Sequence, residues 1–203
     1  MPSLFFENEK NREGFRSVAG IDEAGRGPLA GPVSAAAVIL PDGFSHPLLD
    51  DSKKLTEQRR QSLYDELTNR EDVTWALSLG EVDEIDAINI LKSTHAAMAR
   101  AALEIKPDFC LIDGLPVPGF PIPSMAMVKG DSKSYSIAAA SIIAKVTRDR
   151  LMVEYAEEYP EYGFEKHKGY GTKQHLEALR KHGPCPIHRK SFAPVAQLSL
   201  PFD

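Results

Sequence analysis

Two adjacent carboxylates at the end of an apolar run are the residues of this sequence best suited to do chemistry. Asp22 and Glu23 end the run, and a glycine-flanked arginine follows after one alanine, as Gly25, Arg26 and Gly27. The glycines allow the backbone to leave a strand and to approach a ligand closely. Because Mg²⁺ is typically bound by a few carboxylates together with substrate phosphates, the segment indicates a site for a metal and a phosphate. A solvated Asp-Glu turn with an exposed arginine is the alternative interpretation.

Two further apolar runs end in an acid beside a glycine. Residues 109–112 lead into Asp113, and residues 125–128 lead into Asp131 after a lysine and a glycine. Buried strands that end in carboxylates carry a desolvation cost unless the charges share a cation. The repeated pattern therefore favours a shared metal site, although Asp131 alone also suits a cap for the helix that begins near Ser132.

The two adjacent acids raise a geometric question. Neighbouring residues of a regular strand point to opposite faces, so Asp22 and Glu23 cannot both face one site from within a strand. We expect the strand to end here, as the nearby glycines indicate, or one residue to contribute its backbone carbonyl. Asp22 is the expected central, bridging side chain.

The composition is that of an ordinary globular protein. The chain has 203 residues, of which 42% are apolar and 26% are charged, and this length suits one domain with a good core. No apolar run approaches the length of a membrane span and the N-terminal residues lack a signal-peptide pattern, so we expect a cytoplasmic protein without a membrane partner. The two cysteines, Cys110 and Cys185, predict no disulfide framework.

The net charge of −5 is unevenly distributed along the chain. Residues 1–127 carry 12 Lys and Arg against 20 Asp and Glu, whereas residues 128–190 carry 12 against 8 and hold four of the six histidines. The C-terminal third can therefore present a basic face to phosphates. Uneven surface charge without a function would give the same numbers.

The hydrophobic pattern predicts an α/β fold. Strands are predicted at residues 17–22, 32–40, 72–80, 109–113 and 125–128. Helices are predicted at residues 56–69, 88–105 and 132–159, the last of which ends at Pro160. The first three strands indicate an antiparallel meander, and the proline-rich residues 115–123 indicate a loop between the last two strands.

Seven segments resemble, in order, the motifs of bacterial ribonuclease HII. They are residues 21–27, 51–55, 111–114, 129–131, 136–149, 167–172 and 188–192. The resemblance extends from about Val18 to Pro194, and no motif position departs from the family pattern. It implies a ribonuclease H-like α/β fold, with a mixed five-stranded sheet flanked by helices and a small helical C-terminal extension.

The resemblance also implies a division of the chain. Residues 1–160 are expected to form the ribonuclease H-like catalytic domain. Residues 161–196 are expected to form the helical extension, which completes the substrate groove, and residues 197–203 are expected to form a tail.

An endonuclease activity follows from the same resemblance. It implies hydrolysis of the RNA strand of RNA/DNA hybrids and nicking on the 5′ side of single ribonucleotides in duplex DNA, with 3′-hydroxyl and 5′-phosphate products. Two Mg²⁺ or Mn²⁺ ions would clamp the attacking water and the leaving oxygen. The implied metal-binding and catalytic acids are Asp22, Glu23, Asp113 and Asp131.

The resemblance assigns substrate contacts to two sets of residues. Residues 25–27 and Tyr170 are expected to recognise the ribonucleotide, whose 2′-hydroxyl distinguishes RNA from DNA. Lys53 and Arg189 are expected to contact phosphates. On its sequence context alone, Tyr170 also fits an ordinary loop tyrosine.

Other interpretations stay open from the sequence. A non-catalytic hybrid-binding module would need the basic face and Tyr170 but not four acids. A resolvase or a type 1 ribonuclease H would also use clustered carboxylates. Residues 25–27 and Tyr170 argue against these two nucleases. A zinc site with Cys185 is disfavoured because the C-terminal histidines lack a zinc-ligand spacing. These histidines are His167, His175, His182 and His188.

The C-terminal residues resemble the hexapeptide by which bacterial replication proteins bind the sliding clamp. Gln197 precedes three large apolar residues that no later sequence can bury, namely Leu198, Leu200 and Phe202. We expect Gln197 to hydrogen-bond at a pocket rim while the apolar residues fill a groove on the clamp. A tail folded back on its own domain is the alternative.

Overall fold

A mixed five-stranded sheet lies at the centre of the molecule, for which a computed structural model describes residues 2–49 and 55–199. The strands are β1 (Val18–Ala24), β2 (Val33–Ile39), β3 (Thr74–Gly80), β4 (Phe109–Asp113) and β5 (Ser124–Met127). Their order is β3-β2-β1-β4-β5, with β1 to β3 antiparallel and with β4 and β5 parallel to β1. The predicted mixed sheet is confirmed, and β1 extends two residues beyond its predicted end.

Helices surround this sheet. They are α1 (Phe5–Arg12), α2 (Glu57–Asn69), α3 (Val82–Ile88), α4 (Ile90–Ile105), α5 (Tyr135–Glu158), α6 (Phe164–His167), α7 (Lys173–His182) and α8 (Ala193–Ala196). Short 3₁₀ turns cover Gly130–Ser132 and Gln197–Ser199. Within the described ranges, no helix has both the length and the apolar character that crossing a membrane requires.

The two longest helices cover opposite faces of the sheet. On one face, Ala97 and Ala101 of α4 pack against Ala19 and Ile21 of β1. On the other face, the alanines and isoleucines of α5 pack against the alternate residues of β2. Both helices use small side chains, which lets their backbones approach the strands.

Helix α5 approaches β1 most closely at Gly20. A Cβ atom on Gly20 would lie 2.1 Å from the backbone carbonyl carbon of Ser136, so any larger residue would push the helix away from the sheet. The start of α5 is also fixed by α1, which the sequence did not predict. Oε1 of the buried Glu7 accepts hydrogen bonds of 2.6 Å from the hydroxyls of Ser134 and Ser136. The N-terminal end of α5, just after the Asp131 turn, is thereby held in place.

The predicted single helix at residues 88–105 is wrong at its N-terminal end. Asn89 has a φ of 71° and separates α3 from α4. The Asn89 side chain accepts a hydrogen bond of 3.1 Å from the Lys92 N–H, and this cap starts α4 at Ile90. Asparagine is one of the few residues that adopt a positive φ at low cost.

The C-terminal segment packs on α5 and on the connection between β1 and β2. Met152 of α5, Leu29, Phe164, Leu179 and Val195 form a buried apolar cluster. The connection between β1 and β2 therefore lies between the end of α5 and the C-terminal segment. Both cysteines are free thiols.

Candidate active site

The carboxyl ends of β1 and β4 lie side by side, because these strands are parallel neighbours. Asp113 is the last residue of β4, and Asp22 and Glu23 lie near the end of β1. Along β1, Ile21 packs against the α4 side and Gly20 faces α5. Side chains alternate along a strand, so Asp22 faces α5 and Glu23 faces α4.

The first of the two expectations for β1, that the strand ends at the two acids, is wrong, because β1 continues to Ala24. The strand pairs regularly with β2 through both residues, with Asp22 opposite Ala36 and Glu23 opposite Ala35. Both acids nevertheless line the same cavity. They approach it from opposite faces, around the end of the sheet, so a shared site does not require the strand to end at them.

Asp22 is the most buried of the strand-end acids, with 4% of its surface exposed. It accepts a hydrogen bond of 2.7 Å from the Glu23 N–H and another from the Ser141 side chain. Burial raises the pKa of Asp22 well above its ordinary value, and the nearby charges of Glu23 and Asp113 raise it further. Three of the four predicted acids are therefore close enough for their charges to repel.

The fourth predicted acid follows β5. Asp131 is 4% exposed and lies in the Gly130–Ser132 turn. The N–H of Gly130 donates a hydrogen bond of 2.6 Å to Oδ1 of Asp113, which ties this turn to the end of β4. Within residues 2–49 and 55–199, no three His, Cys, Asp or Glu side chains form a ready-made metal cage. The acids instead lie around the carboxyl ends of the parallel strands, at one open end of the sheet.

One cavity of about 280 Å³ joins two of the acids to the residues expected to recognise a ribonucleotide. Asp22 and Glu23 line one part of it, and the 25–27 loop (Gly25, Arg26 and Gly27) and Tyr170 line another. Tyr170 is 44% exposed, and a Cβ atom on Gly27 would lie 3.7 Å from its ring. Gly27 and Tyr170 are 143 positions apart in the chain, and the fold brings them to the same cavity.

Three further cavity residues were not singled out from the sequence. They are Arg60 of α2 and Ser141 and Lys145 of α5. Lys145 also pairs with Asp149 at 2.7 Å. Ser141 and Lys145 are four residues apart, so they share a helix face. This spacing, within the segment 136–149 that resembles a family motif, could have identified them from the sequence. Nothing in the local sequence of Arg60 indicates the cavity.

The sequence matches one known family over nearly its whole length. The profile of the family described as Ribonuclease HII matches residues 19–195. The chain is also 56% identical over 200 residues to a ribonuclease HII of Chlamydia caviae, an alignment that covers 98% of this chain and 94% of that protein. This chain belongs to the ribonuclease HII family. It is accordingly an endonuclease of the ribonuclease H type, which cleaves RNA strands.

Solved structures with the ribonuclease H fold agree with this assignment. The chain is similar to ribonuclease HII in the PCNA:RNase HII complex from Archaeoglobus fulgidus, with a TM-score of 0.73 and 27% identity over 87% of this chain and 95% of that chain. It shares its fold with Bst-RNase HIII in complex with Mn²⁺, with a TM-score of 0.67 and 17% identity. That alignment covers 90% of this chain and 68% of the other.

The phosphate contact expected of Arg189 does not fit its position in this ribonuclease HII fold. Arg189 is completely buried, and its guanidinium donates hydrogen bonds to the backbone carbonyls of Gly25, Arg26 and Gly31. It therefore supports the 25–27 loop from beneath. Lys53, the other residue expected to contact a phosphate, lies outside the described residues.

Three of the four C-terminal histidines, His167, His175 and His188, hydrogen-bond to protein groups. His175 Nε2 lies 3.0 Å from His188 Nε2, and His175 Nδ1 lies 3.0 Å from the Tyr170 carbonyl. His188 Nδ1 accepts a hydrogen bond of 3.0 Å from the Cys185 N–H. Burial lowers the pKa values of His175 and His188 to about 4, so both rings are neutral at pH 7. This arrangement supports the backbone of the Tyr170 turn (residues 167–171).

Proposed function

We propose that this protein nicks duplex DNA on the 5′ side of a single embedded ribonucleotide, as well as cutting longer RNA/DNA hybrids, and leaves 3′-hydroxyl and 5′-phosphate ends. The observation that carries the proposal is the shared cavity, in which Asp22 and Glu23 lie beside the 25–27 loop and Tyr170. A site that combines hydrolysis with a sensor for a 2′-hydroxyl can select one ribose among deoxyriboses.

We propose that Asp22, Glu23, Asp113 and Asp131 hold two divalent ions, Mg²⁺ or Mn²⁺. The donor set fits such ions, since it consists of carboxylate oxygens around an open edge, where water and phosphate oxygens can complete the coordination. The buried Asp22 also faces two further carboxylates, and a divalent cation would relieve this repulsion. When bound, the ions would lower the pKa of a water and stabilise the attacking and leaving oxygens of an in-line displacement.

The chain's own residues orient this site. The Glu23 N–H and the Ser141 side chain fix the Asp22 carboxylate, and the Gly130 N–H fixes that of Asp113. The Arg26 side chain pairs with Glu23 at 3.3 Å, which leaves it beside the cavity, where it can meet a substrate phosphate. These contacts limit the movement of the acids when substrate enters.

In this proposal, ribonucleotide recognition rests on the 25–27 loop and Tyr170. The glycines expose backbone groups to the ribose, and the half-exposed tyrosine ring offers a stacking surface. Lys53 is proposed as a phosphate contact, as is Lys145, whose side chain lines the same cavity.

Residues 161–196 are proposed to complete the substrate groove. The enzyme is proposed to act in the cytoplasm, on duplex DNA.

We also propose that the tail from Gln197 to Phe202 binds a replication clamp. Gln197 is exposed, and the archaeal ribonuclease HII with which this chain shares its fold was solved in a complex with PCNA. Leu198 packs partly against the C-terminal apolar cluster, which leaves the clamp contact to Gln197 and to Leu200 and Phe202, two residues outside the described ranges. An extended peptide at a chain end can dock with little rearrangement of its domain.

The direct test of the activity uses three duplexes of identical sequence. One carries a single ribonucleotide, one has a complete RNA strand and one is all DNA, and each is incubated with Mg²⁺ or Mn²⁺ before the product ends are mapped. We expect a nick immediately 5′ of the single ribonucleotide, cleavage of the hybrid and no cleavage of the all-DNA duplex. Inertness toward the single-ribonucleotide duplex would overturn the proposal.

A further inference from the structure

Two completely buried arginines lie beneath the 25–27 loop and the Tyr170 turn. Arg148 is 1% exposed and Arg189 is 0% exposed. Each guanidinium donates three hydrogen bonds, and all six acceptors are backbone carbonyls. The catalytic proposal above uses neither residue, so the role of these two buried charges needs its own explanation.

Arg189 holds the carbonyl side of the 25–27 loop. Its Nη2 and Nη1 atoms donate to the carbonyls of Gly25 at 2.6 Å and Arg26 at 2.9 Å, and its Nε atom donates to the carbonyl of Gly31 at 2.9 Å. The backbone N–H of Arg189 also donates to the Leu29 carbonyl. One side chain therefore fixes both ends of the connection that follows β1.

Arg148 links that connection to the Tyr170 turn. Its Nε and Nη2 atoms donate to the carbonyls of Pro32 at 2.9 Å and Ala30 at 3.0 Å, and its Nη1 atom donates to the Lys168 carbonyl at 3.0 Å. A Cβ atom on Gly25 would lie 1.9 Å from Arg148 Nε, so the loop lies directly on this guanidinium. Arg148 thus touches both elements of the cavity.

Burying two cations is costly, and apolar side chains of similar volume often stabilise a fold as well or better. The planar guanidinium offers something that an apolar side chain cannot, because its five N–H donors are held in a rigid fork. Six carbonyls are fixed in this way, five in the connection between β1 and β2 and one in the Tyr170 turn. The cost is therefore best explained by the geometry that the two forks impose on the loop and the turn.

We propose that Arg148 and Arg189 are positioning residues that hold the 25–27 loop and the Tyr170 turn at a fixed separation, and that this separation sets the rate of cutting at a single ribonucleotide. The inference rests on the proposed function, in which both elements contact the ribonucleotide. Lysine cannot substitute for either residue, because a single ammonium cannot span three carbonyls arranged as a fork.

The first test compares Arg148→Lys with wild type on the single-ribonucleotide duplex. A displacement of about 1 Å can cost about a hundredfold in rate, so we expect kcat to fall by about that factor. KM should stay within about threefold, because affinity rests mainly on surface phosphate contacts. Arg150→Lys is the matched control, since Arg150 lies on the same helix but is exposed and pairs with Asp65. It should retain the wild-type kcat.

A double-substitution cycle separates positioning from general stability. If Arg148 acts through the Tyr170 turn, Arg148→Lys should cost less than about threefold in kcat once Tyr170→Ala is present. Arg189→Lys is measured in the same way, as a second route to the same result. All assays run well below the lowest melting temperature of the variants, so that each is folded.

The outcomes are distinct from those of the proposed function. Failure of wild type to cut the single-ribonucleotide duplex would overturn the proposed function. If wild type cuts, a folded Arg148→Lys and a folded Arg189→Lys with wild-type kcat would overturn the positioning role. So would a full, independent loss on top of Tyr170→Ala. Loss of folding in both lysine variants would assign the arginines to stability and would also overturn it.

Discussion

The strand-end acids (Asp22, Glu23 and Asp113) and the two buried arginines are charged clusters near the 25–27 loop. Their charges are stabilised in different ways. The guanidiniums of Arg148 and Arg189 each meet three carbonyls, so the protein itself solvates both positive charges. Asp22 accepts hydrogen bonds, yet the carboxylates of Glu23 and Asp113 are also nearby. Burial, together with the charges of these two carboxylates, raises the pKa of Asp22. The cationic cluster is complete within the chain, whereas the repulsion within the anionic cluster is one that the proposed divalent ions would relieve.

This difference separates a part of the protein that holds its shape from a part that binds. A guanidinium bonded to carbonyls keeps its geometry in the absence of substrate, and such rigidity suits a support. Carboxylates that repel one another favour divalent ions, and this suits a site that assembles with metal and substrate.

Neutralising one acid should have the largest effect. Asp22→Asn and Asp113→Asn should each lower kcat by about a thousandfold or more, because metal stabilisation of the reacting oxygens supplies several kcal/mol. Affinity for an RNA/DNA hybrid, measured by fluorescence anisotropy, should change by less than about threefold, since Lys and Arg supply most of it. Parallel loss of binding and cleavage would instead make these acids structural.

Removing the Tyr170 ring should have an intermediate effect. Stacking on an aromatic side chain is worth about 1–3 kcal/mol, so Tyr170→Ala should slow cutting at a single ribonucleotide by about 5-fold to 150-fold. Tyr170→Phe keeps the ring and should stay near wild type. Steady-state kinetics and anisotropy on the same duplex check this, and equal losses in rate and affinity would make Tyr170 a general contact.

The stability of the metal-free protein should respond to pH through Asp22. The pKa of Asp22 is higher in the folded state than its ordinary value of 3.8. At a pH between these two values, the folded protein keeps a proton on Asp22 that the unfolded chain has lost. Its contribution to stability is complete below that ordinary value and is lost as pH rises through the raised pKa. In the presence of a chelator, Asp22→Asn should therefore melt at a higher temperature than wild type at pH 8. The expected rise is about 2–4 °C for each kcal/mol by which the substitution increases the free energy of unfolding.

The measurement for this prediction is thermal unfolding followed by circular dichroism between pH 4 and pH 8. The difference in melting temperature between the variant and wild type should grow with pH. A difference that is constant across this range would show that the Asp22 charge costs the fold nothing.

Removal of the tail should have the smallest effect on the enzyme. Truncation after Ser199 keeps Leu198, which packs on the C-terminal cluster, and removes Leu200 and Phe202. The melting temperature should be unchanged and cleavage should stay within about twofold, while binding to a replication clamp in calorimetry should be lost. A clear drop in melting temperature would place the tail in the fold, and unchanged clamp binding would exclude it as the docking peptide.

Local patterns were sufficient to predict the strands and to place three of the acids near strand ends. Each strand has an apolar run, and Asp22, Glu23 and Asp113 lie at strand ends, where the carboxyl edges of parallel strands meet. The break at Asn89 was missed because residues 88–105 have a continuous helical pattern, and a single positive φ leaves little trace in it. Helix α1 was missed because it is short, and its buried Glu7 finds its partners more than 120 residues away.

The role of Arg189 could not be predicted from its neighbours in the sequence. Its acceptors lie about 160 residues earlier in the chain, and whether an arginine faces a phosphate or a carbonyl depends on the packing of both segments. The shared cavity of Tyr170 and the 25–27 loop is equally non-local. Residue types indicated which groups belong to the candidate site, and tertiary structure decides which of them line the cavity and which support the others.

In the proposed mechanism the acids are incomplete without divalent ions, whereas the buried arginines are complete in the chain. The most direct measurement is a Mn²⁺ titration of wild type, Asp22→Asn and Arg148→Lys, with free Mn²⁺ followed by electron paramagnetic resonance. We predict binding by wild type and by Arg148→Lys, and much weaker binding by Asp22→Asn. Equal binding by wild type and Asp22→Asn, or no binding by wild type, would contradict the account.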